Sequence, residues 1–301
     1  MNSCRGTQEV TKRICGQVVS HTRKGELVWL TLEVAGWRSA APGQFVMLQR
    51  EFSTSFLPRP FSVAAEEFRD EGTARLSFLI APVGEATHEL ARSQPGDKVL
   101  VLGPLGRGFD LQGIFGAQPT HSKLRLVLVA GGVGVAPFPH LLQVLARGEF
   151  GTGEPASGRD LLEVVGLLGF RDGAQAEAAQ PVEAGFAALR EAGINCRLLL
   201  ATEDGSVGSR GLVTDLLAEH LEAGDCLLVC GPWAMAERVW SLAKTKSGVR
   251  TWFSLETGMA CGVGSCHGCV IELADGSLAR VCHEGPVFPG EIVFGGRSGN
   301  D

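Results

Sequence analysis

Four cysteines near the C-terminal end, Cys261, Cys266, Cys269 and Cys282, stand in the spacing C-x4-C-x2-C-x12-C. Thiolates are soft ligands, so four of them on glycine-rich chain point to metal, either zinc or an iron–sulfur cluster. Structural zinc sites favour two C-x2-C hairpins, and this run holds only one such pair. The C-x4-C-x2-C run is the plant-type [2Fe-2S] spacing, in which a tight loop wraps the cluster and turns backbone N–H groups toward its sulfurs. Gly262, Gly264 and Gly268 are the residues such a wrap requires. His267 lies between two of the thiols, but four cysteines already complete the set and it is not assigned as a ligand. The other cysteines are isolated: Cys4, Cys15, Cys196 and Cys226 read as incidental or buried.

Two further stretches have the composition of ligand loops. AGGVGVAP, residues 130–137, lies between an apolar strand and a helix. Gly131, Gly132 and Gly134 would let backbone approach a pyrophosphate, and a helix starting near Pro137 would aim unpaired N–H groups at it. The alternative is a glycine turn needed only for packing. A late strand ends in Cys230-Gly231-Pro232, where the thiol either faces a ligand or is packed. Upstream, Arg59-Pro60-Phe61-Ser62 places a guanidinium beside a hydroxyl at a strand edge, a pair able to fork a phosphate while the backbone between them faces a flat ring. An exposed arginine at a strand edge is the plainer reading. No Ser-His-Asp or paired-carboxylate arrangement is present, so no catalytic residue is assigned.

These groups need elements to hold them. From Ile14 to about Val101, short alternating runs bounded by Gly, Pro, Asp or Ser predict a small antiparallel barrel or sandwich, with one helix over 85–93. After Pro119 the pattern becomes apolar strand then helix, four times over, which predicts a parallel sheet covered on both faces. The cysteines follow in a third small unit from Arg250. The fold class expected is therefore α+β multidomain: an antiparallel β-barrel over 13–118, a doubly wound α/β unit over 119–248 and a small terminal unit over 249–301. The segment 148–160 reads as a loop without chemistry.

Composition narrows the function further. A chain of 301 residues with 45% hydrophobic content and a net charge of −6 is globular and offers no basic field for nucleic acid or an anionic membrane. Its longest apolar run, Leu124 to Val135, is too short and too interrupted to span a bilayer. The N-terminus lacks a signal-like apolar stretch, and a cytoplasmic location is expected. In that reducing setting nine cysteines argue for metal or redox chemistry over a disulfide framework.

Arg-Pro-x-Ser in a barrel, Gly84-Glu85-Ala86-Thr87 opening a helix, Gly103-Pro104-Leu105-Gly106 closing the barrel, then Gly-Gly-Val-Gly and Cys-Gly-Pro, together resemble the ferredoxin reductase-like family. That resemblance implies FAD on the barrel, its pyrophosphate over the helix start at Gly84, Ala86 and Thr87, and a nicotinamide nucleotide docking from the second unit, with Cys230 near the nicotinamide. Relatives have a Tyr-Arg pair on the strand before that helix; here Ile80-Ala81 stand there, after Leu79, so flavin contacts over these three residues are backbone or apolar. The twelve-residue final cysteine gap is shorter than in plant ferredoxins. With the ARVCHEGPVF ending and TEDGS followed by GLVTDLL, the terminal segment resembles the electron-transfer subunits of class 1B dihydroorotate dehydrogenase. The resemblance implies FAD, a [2Fe-2S] cluster and NAD as cofactors, and an FMN-containing dihydroorotate dehydrogenase catalytic subunit as partner in a heterotetramer of two of each. It also implies a surface cluster loop, with the apolar tail 287–294 contributing to the partner contact. Related chains serve NADH-dependent ferredoxin:NADP+ oxidoreductase and sulfhydrogenase complexes. Arg171, after the second strand of the α/β unit, faces either a 2′-phosphate or solvent.

Overall fold

The computed structural model describes residues 13–70, 72–116, 124–149 and 162–296. Cys4, the N-terminal dozen and residues 150–160 lie outside the described residues.

Alternating side chains build the first unit. Strands β1 (Arg13–Lys24), β2 (Leu27–Ala35), β3 (Phe45–Arg50), β4 (Arg59–Ser62), β5 (Ala65–Asp70), β6 (Thr73–Ile80) and β7 (Lys98–Leu105) pair antiparallel in the order β4-β3-β7-β1-β2-β6-β5. In β2, Val28, Leu30, Leu32 and Val34 are wholly buried at every second position, the period of a half-buried strand. One stretch of chain closes the sheet on itself: Val63 N donates to Gln44 O beside β3 at 3.0 Å, and Ala64 N to Ser77 O of β6 at 2.9 Å. Helix α1 (Glu85–Ala91) connects β6 to β7 as the sequence predicts, and α2 (Leu111–Gly116) follows the barrel.

The second sheet is built from β8 (Leu124–Gly131), α3 (Phe138–Arg147), β9 (Leu162–Phe170), α4 (Gly173–Ala176), α5 (Gln180–Glu191), β10 (Asn195–Thr202), β11 (Ser209–Arg210), α6 (Val213–His220), β12 (Cys226–Cys230), α7 (Trp233–Ala243) and β13 (Arg250–Ser254). The order β11-β10-β9-β8-β12-β13 reverses direction between β8 and β12, so a crevice opens outside Gly131 and Cys230 at the strand ends. Helix α3 buries Phe138, Leu141, Leu142 and Leu145 completely; at about 1.5–3 kcal/mol each, that face contributes roughly 6–12 kcal/mol of gross transfer free energy. At the opposite end of the strands, Arg125 reaches Asp225 through Nη1 at 2.8 and 2.6 Å, an ion pair with side-chain exposures of 8% and 1%.

The terminal segment contains β14 (Val270–Glu272), β15 (Leu278–Arg280), β16 (Val287–Pro289) and α8 (Gly290–Phe294). Only β14 and β15 form a separate hairpin; β13 extends the second sheet and β16 pairs antiparallel to it, Phe253 opposite Phe288. The tail expected to face a partner is therefore mostly core. Val287, Phe288, Val293 and Phe294 are 7% exposed or less, and the Phe294 ring meets Phe253 edge-on at 5.0 Å. Val287 and Phe288 are adjacent and both buried, so this short run needs a sheet edge to receive it, and β13 supplies that edge. No helix of the described residues is long and apolar enough to cross a membrane.

Candidate functional site

The cysteine loop runs from the end of β13 to β14 and returns through β15. Its thiols gather two and two. Cys269 Sγ lies 3.2 Å from Cys282 Sγ, and the Cys266 thiol donates to Cys261. Two pairs suit a group with two irons. Five backbone N–H groups point at the sulfurs: Val263 and Cys266 at Cys261, Gly268 at Cys266, Cys282 at Cys269, and Gly264 at Cys282, at 3.2–3.5 Å. Such donors stabilise thiolate over thiol. Burial pushes the Cys261 thiol up, but the Cys266 and Val263 N–H groups outweigh it and bring it down to about 7. Cys282 goes the other way, pushed up to about 12 by burial and by the Cys269 thiol beside it. The donor set fits a [2Fe-2S] cluster in composition, pairing and polarity.

The loop's depth is set by glycine. Gly262 has φ 70, and a Cβ there would lie 2.5 Å from Met47 Cγ and 3.1 Å from Leu105 Cδ1, so the loop rests directly on β3 and β7 of the barrel. Met47 is opposite Pro60 in the ladder, which puts the loop one strand away from Arg59-Pro60-Phe61-Ser62. On the other side, Cys266 and His267 are exposed, the latter at φ 59. Cys269 and Cys282 are buried among Val281 and Phe288.

All four residues of β4 are half-buried; Arg59 holds the Leu57 and Pro58 carbonyls through Nη1 at 3.0 and 3.2 Å. At the start of α1, Thr87 Oγ1 accepts from Gly84 N at 2.9 Å and Val83 N at 3.0 Å, and Ala86 is buried. Leu79 and Ile80 pack into the cores below, so of the three residues before this turn only Ala81 reaches the cleft.

That cleft, about 1150 Å³, lies between barrel and α/β unit at the sheet's reversal point, and Ala81, Gly131, Gly132, Gly231 and Pro232 all line it. Gly134 does not. A Cβ there would sit 2.1 Å from the Cys230 carbonyl oxygen, so this glycine serves close packing against β12. Helix α3 starts at Phe138, beside Pro137 as the sequence implies. A 3-10 turn, Gly132–Val135, precedes it and Pro137 becomes the residue before the first helical turn. Gly132, at φ 55, faces the cleft, where an added Cβ would meet only the Gln175 amide, at 3.8 Å. Cys230 is buried, and desolvation drives its thiol far up, so it stays protonated; it bonds to Ser254.

Several cleft residues carry no sequence signature. Glu256 lines the cleft with its carboxyl pushed up by desolvation, on the segment joining β13 to the cysteine loop. Arg171 is also there, but it is held by Asp172 at 2.9 Å and by Glu26 of the barrel at 3.2 Å, one charge shared between two carboxylates.

Barrel, doubly wound sheet and reversal-point cleft together define the ferredoxin-reductase class of fold. A ferredoxin NADP+ reductase from Neisseria gonorrhoeae, solved with bound FAD and NADP, superposes with TM-score 0.58 at 18% identity, covering 82% of this chain and all of that one. A chain of the NADH-dependent reduced ferredoxin-NADP oxidoreductase, a structure bearing on flavin-based electron bifurcation, gives TM-score 0.69 at 25% identity over 92% and 89%. Residues 256–294 match the iron-sulfur cluster binding domain of dihydroorotate dehydrogenase B. Dihydroorotate dehydrogenase B (NAD(+)) electron transfer subunits are 34% identical in Listeria monocytogenes and 37% identical in Geobacillus kaustophilus, each over 84% of this chain and 87% of the relative. The chain belongs to this family of electron transfer subunits.

Proposed function

We propose that this chain carries electrons between an FMN-containing dihydroorotate dehydrogenase catalytic subunit, which turns dihydroorotate into orotate in pyrimidine biosynthesis, and NAD+, in a cytoplasmic heterotetramer of two of each. Residues 13–118 would hold FAD, 119–248 NAD and 249–301 the [2Fe-2S] cluster. When bound, the cluster supplies single-electron exchange, and FAD converts between single-electron and hydride steps.

The observation that supports this reading is the order in which the cysteine loop, the barrel strands and the cleft follow one another. Exposed Cys266 faces outward, Gly262 presses the loop onto Met47 and Leu105, β4 is the next strand, and the cleft lies at the junction with the second sheet. Cys261, Cys266, Cys269 and Cys282 would ligate the irons, with five N–H groups stabilising their charge. Arg59 and Ser62, with Pro60 and Phe61 between them, would hold the flavin, Gly84, Ala86 and Thr87 its pyrophosphate, and Ala81 would wall the ring. Gly131, Gly132, Gly231 and Pro232 would admit the nicotinamide nucleotide. Cys230, as a neutral buried thiol, would shape this floor without acting as a nucleophile.

The test is a pull-down from native extract followed by an assay for orotate formation coupled to NAD+ reduction. Orotate formed only when both subunits are present supports the proposal; a co-purified partner without FMN or dihydroorotate activity refutes it. A second reading is favoured by the 92% structural coverage with the ferredoxin-NADP oxidoreductase chain: the same cofactors serving a ferredoxin-linked partner. The identity of the captured subunit separates the two.

A further inference from the structure

Arg280, the last residue of β15, makes contacts that neither ligate a metal nor bury apolar surface. Its Nη1 donates to the Gly264 carbonyl oxygen at 2.9 Å, and the Gly264 N–H in turn donates to Cys282 Sγ at 3.2 Å. One residue of backbone thus links a guanidinium to a thiol sulfur. Gly264 stands at φ 78 with its Cα side closed by His283, where a Cβ would be 3.1 Å from both Cβ and Cδ2. Its orientation is therefore confined on one side and gripped on the other.

The rest of the guanidinium is held as firmly. Nε donates to Glu284 Oε2 at 3.1 Å and Nη2 to Glu284 Oε1 at 2.5 Å, a two-bond fork of the kind that fixes arginine in a plane. The Arg280 backbone N–H also donates to Glu284 Oε2 at 2.7 Å, and His283 Nδ1 lies 3.0 Å from Oε1. Were this only an i,i+4 pair at 31% and 33% exposure, it would be worth about 1 kcal/mol or less and would concern nothing but local stability. The bond to Gly264 makes it more than that. It keeps a full positive charge in the field of the Cys269 and Cys282 sulfurs and an N–H aimed at one of them.

We propose that Arg280 is a positioning residue that raises the reduction potential of the cluster site, through its charge and through the Gly264 N–H it orients toward Cys282, with Glu284 tempering that charge. The physical basis is that reduction adds one negative charge to the cysteine-bound group, and hydrogen bonds to sulfur and nearby net charge set its potential. A cation and a donor on the Cys269/Cys282 side favour the more negative state. An anion beside the cation does the reverse. This inference rests on the cluster being bound as proposed above.

The test is an EPR-monitored redox titration of the full, cluster-loaded chain in wild type, Arg280→Gln, Arg280→Lys and Glu284→Gln. In Arg280→Gln the ratio of reduced to oxidised cluster at a fixed potential should fall about tenfold, a downward shift of about 59 mV for one electron. Arg280→Lys keeps the charge but loses the fork, and should lie between the two. Glu284→Gln should move the opposite way, because it leaves the cation less neutralised. That opposite sign separates tuning from a purely structural role, in which losing either partner would shift the potential the same way or not at all. An unshifted Arg280→Gln carrying a full cluster overturns the inference. If Arg280→Gln loses the cluster, Glu284→Gln decides, and an unchanged or lowered potential overturns the inference. Absence of any signal in wild type would instead count against the cluster assignment.

Discussion

Gly262→Ala should damage this protein more than a glycine substitution of the same backbone type elsewhere, and the structure says by how much. Gly262 sits at φ 70, where an L side chain costs about 1–2 kcal/mol. Its added methyl would also meet Met47 Cγ at 2.5 Å and Met47 Sδ at 3.0 Å, an overpacking that typically costs about 1–3 kcal/mol. The sum is about 2–5 kcal/mol, before an offset of about 0.4–1 kcal/mol from the stiffer unfolded chain. Gly276, in the β14–β15 turn, provides the control. Its φ is 82, but a Cβ there meets nothing within 4 Å, so Gly276→Ala carries the backbone cost alone. Urea unfolding of the cofactor-loaded variants should therefore separate them by about 1–3 kcal/mol, Gly262→Ala being the weaker. Adding Met47→Ala to Gly262→Ala should recover part of the loss, as contacting sites couple by about 0.5–3 kcal/mol. Equal losses for Gly262→Ala and Gly276→Ala would refute the claim that the cysteine loop bears directly on the barrel.

Other expectations follow from buried polar groups. Asp225→Ala takes from Arg125 its two shortest bonds but leaves it Glu222 at 3.4 Å, Glu163 at 3.8 Å and the His220 carbonyl, and should cost about 1–3 kcal/mol in a denaturant titration. Burial holds the His140 imidazole below its ordinary range, with Arg147 acting the same way and Glu66 opposing. Its folded state therefore takes up a proton less readily than the unfolded chain, so stability contributed by neutral His140 is present above the unfolded pKa of about 6.5 and is lost as pH falls below it. Stability measured from pH 7.5 to 5 should fall in wild type and flatten in His140→Gln. Cys230 should resist iodoacetamide at pH 8 at least about tenfold more than exposed Cys15 in mass-spectrometric labelling, since only thiolate reacts and desolvation keeps this one protonated.

The parts of the fold that could be read in the chain are those written in local periodicity. Alternation in β2 and the apolar run of β8 each fix which faces are buried, and C-x4-C-x2-C specifies its loop within nine residues. What could not be read depends on distant partners. VFP joins the nucleotide sheet only because β13 leaves an edge for it, and nothing in its own composition distinguishes a sheet edge from a docking surface. The helix start near Pro137 is legible, but the 3-10 turn before it is not, because Gly134 is pressed against the Cys230 carbonyl, a contact made across 96 residues of chain. Glu256 was invisible for a simpler reason: a lone carboxylate acquires meaning only from the walls around it.

The proposed function turns on the cysteine loop standing between the partner and the flavin, and the Cys266→Ser variant tests that order most directly. Assembled with its partner subunit, the variant should lose dihydroorotate-driven NAD+ reduction while keeping NADH-dependent dye reduction, which needs only the flavin and the cleft. Retention of both activities, with the [2Fe-2S] EPR signal absent, would contradict the account.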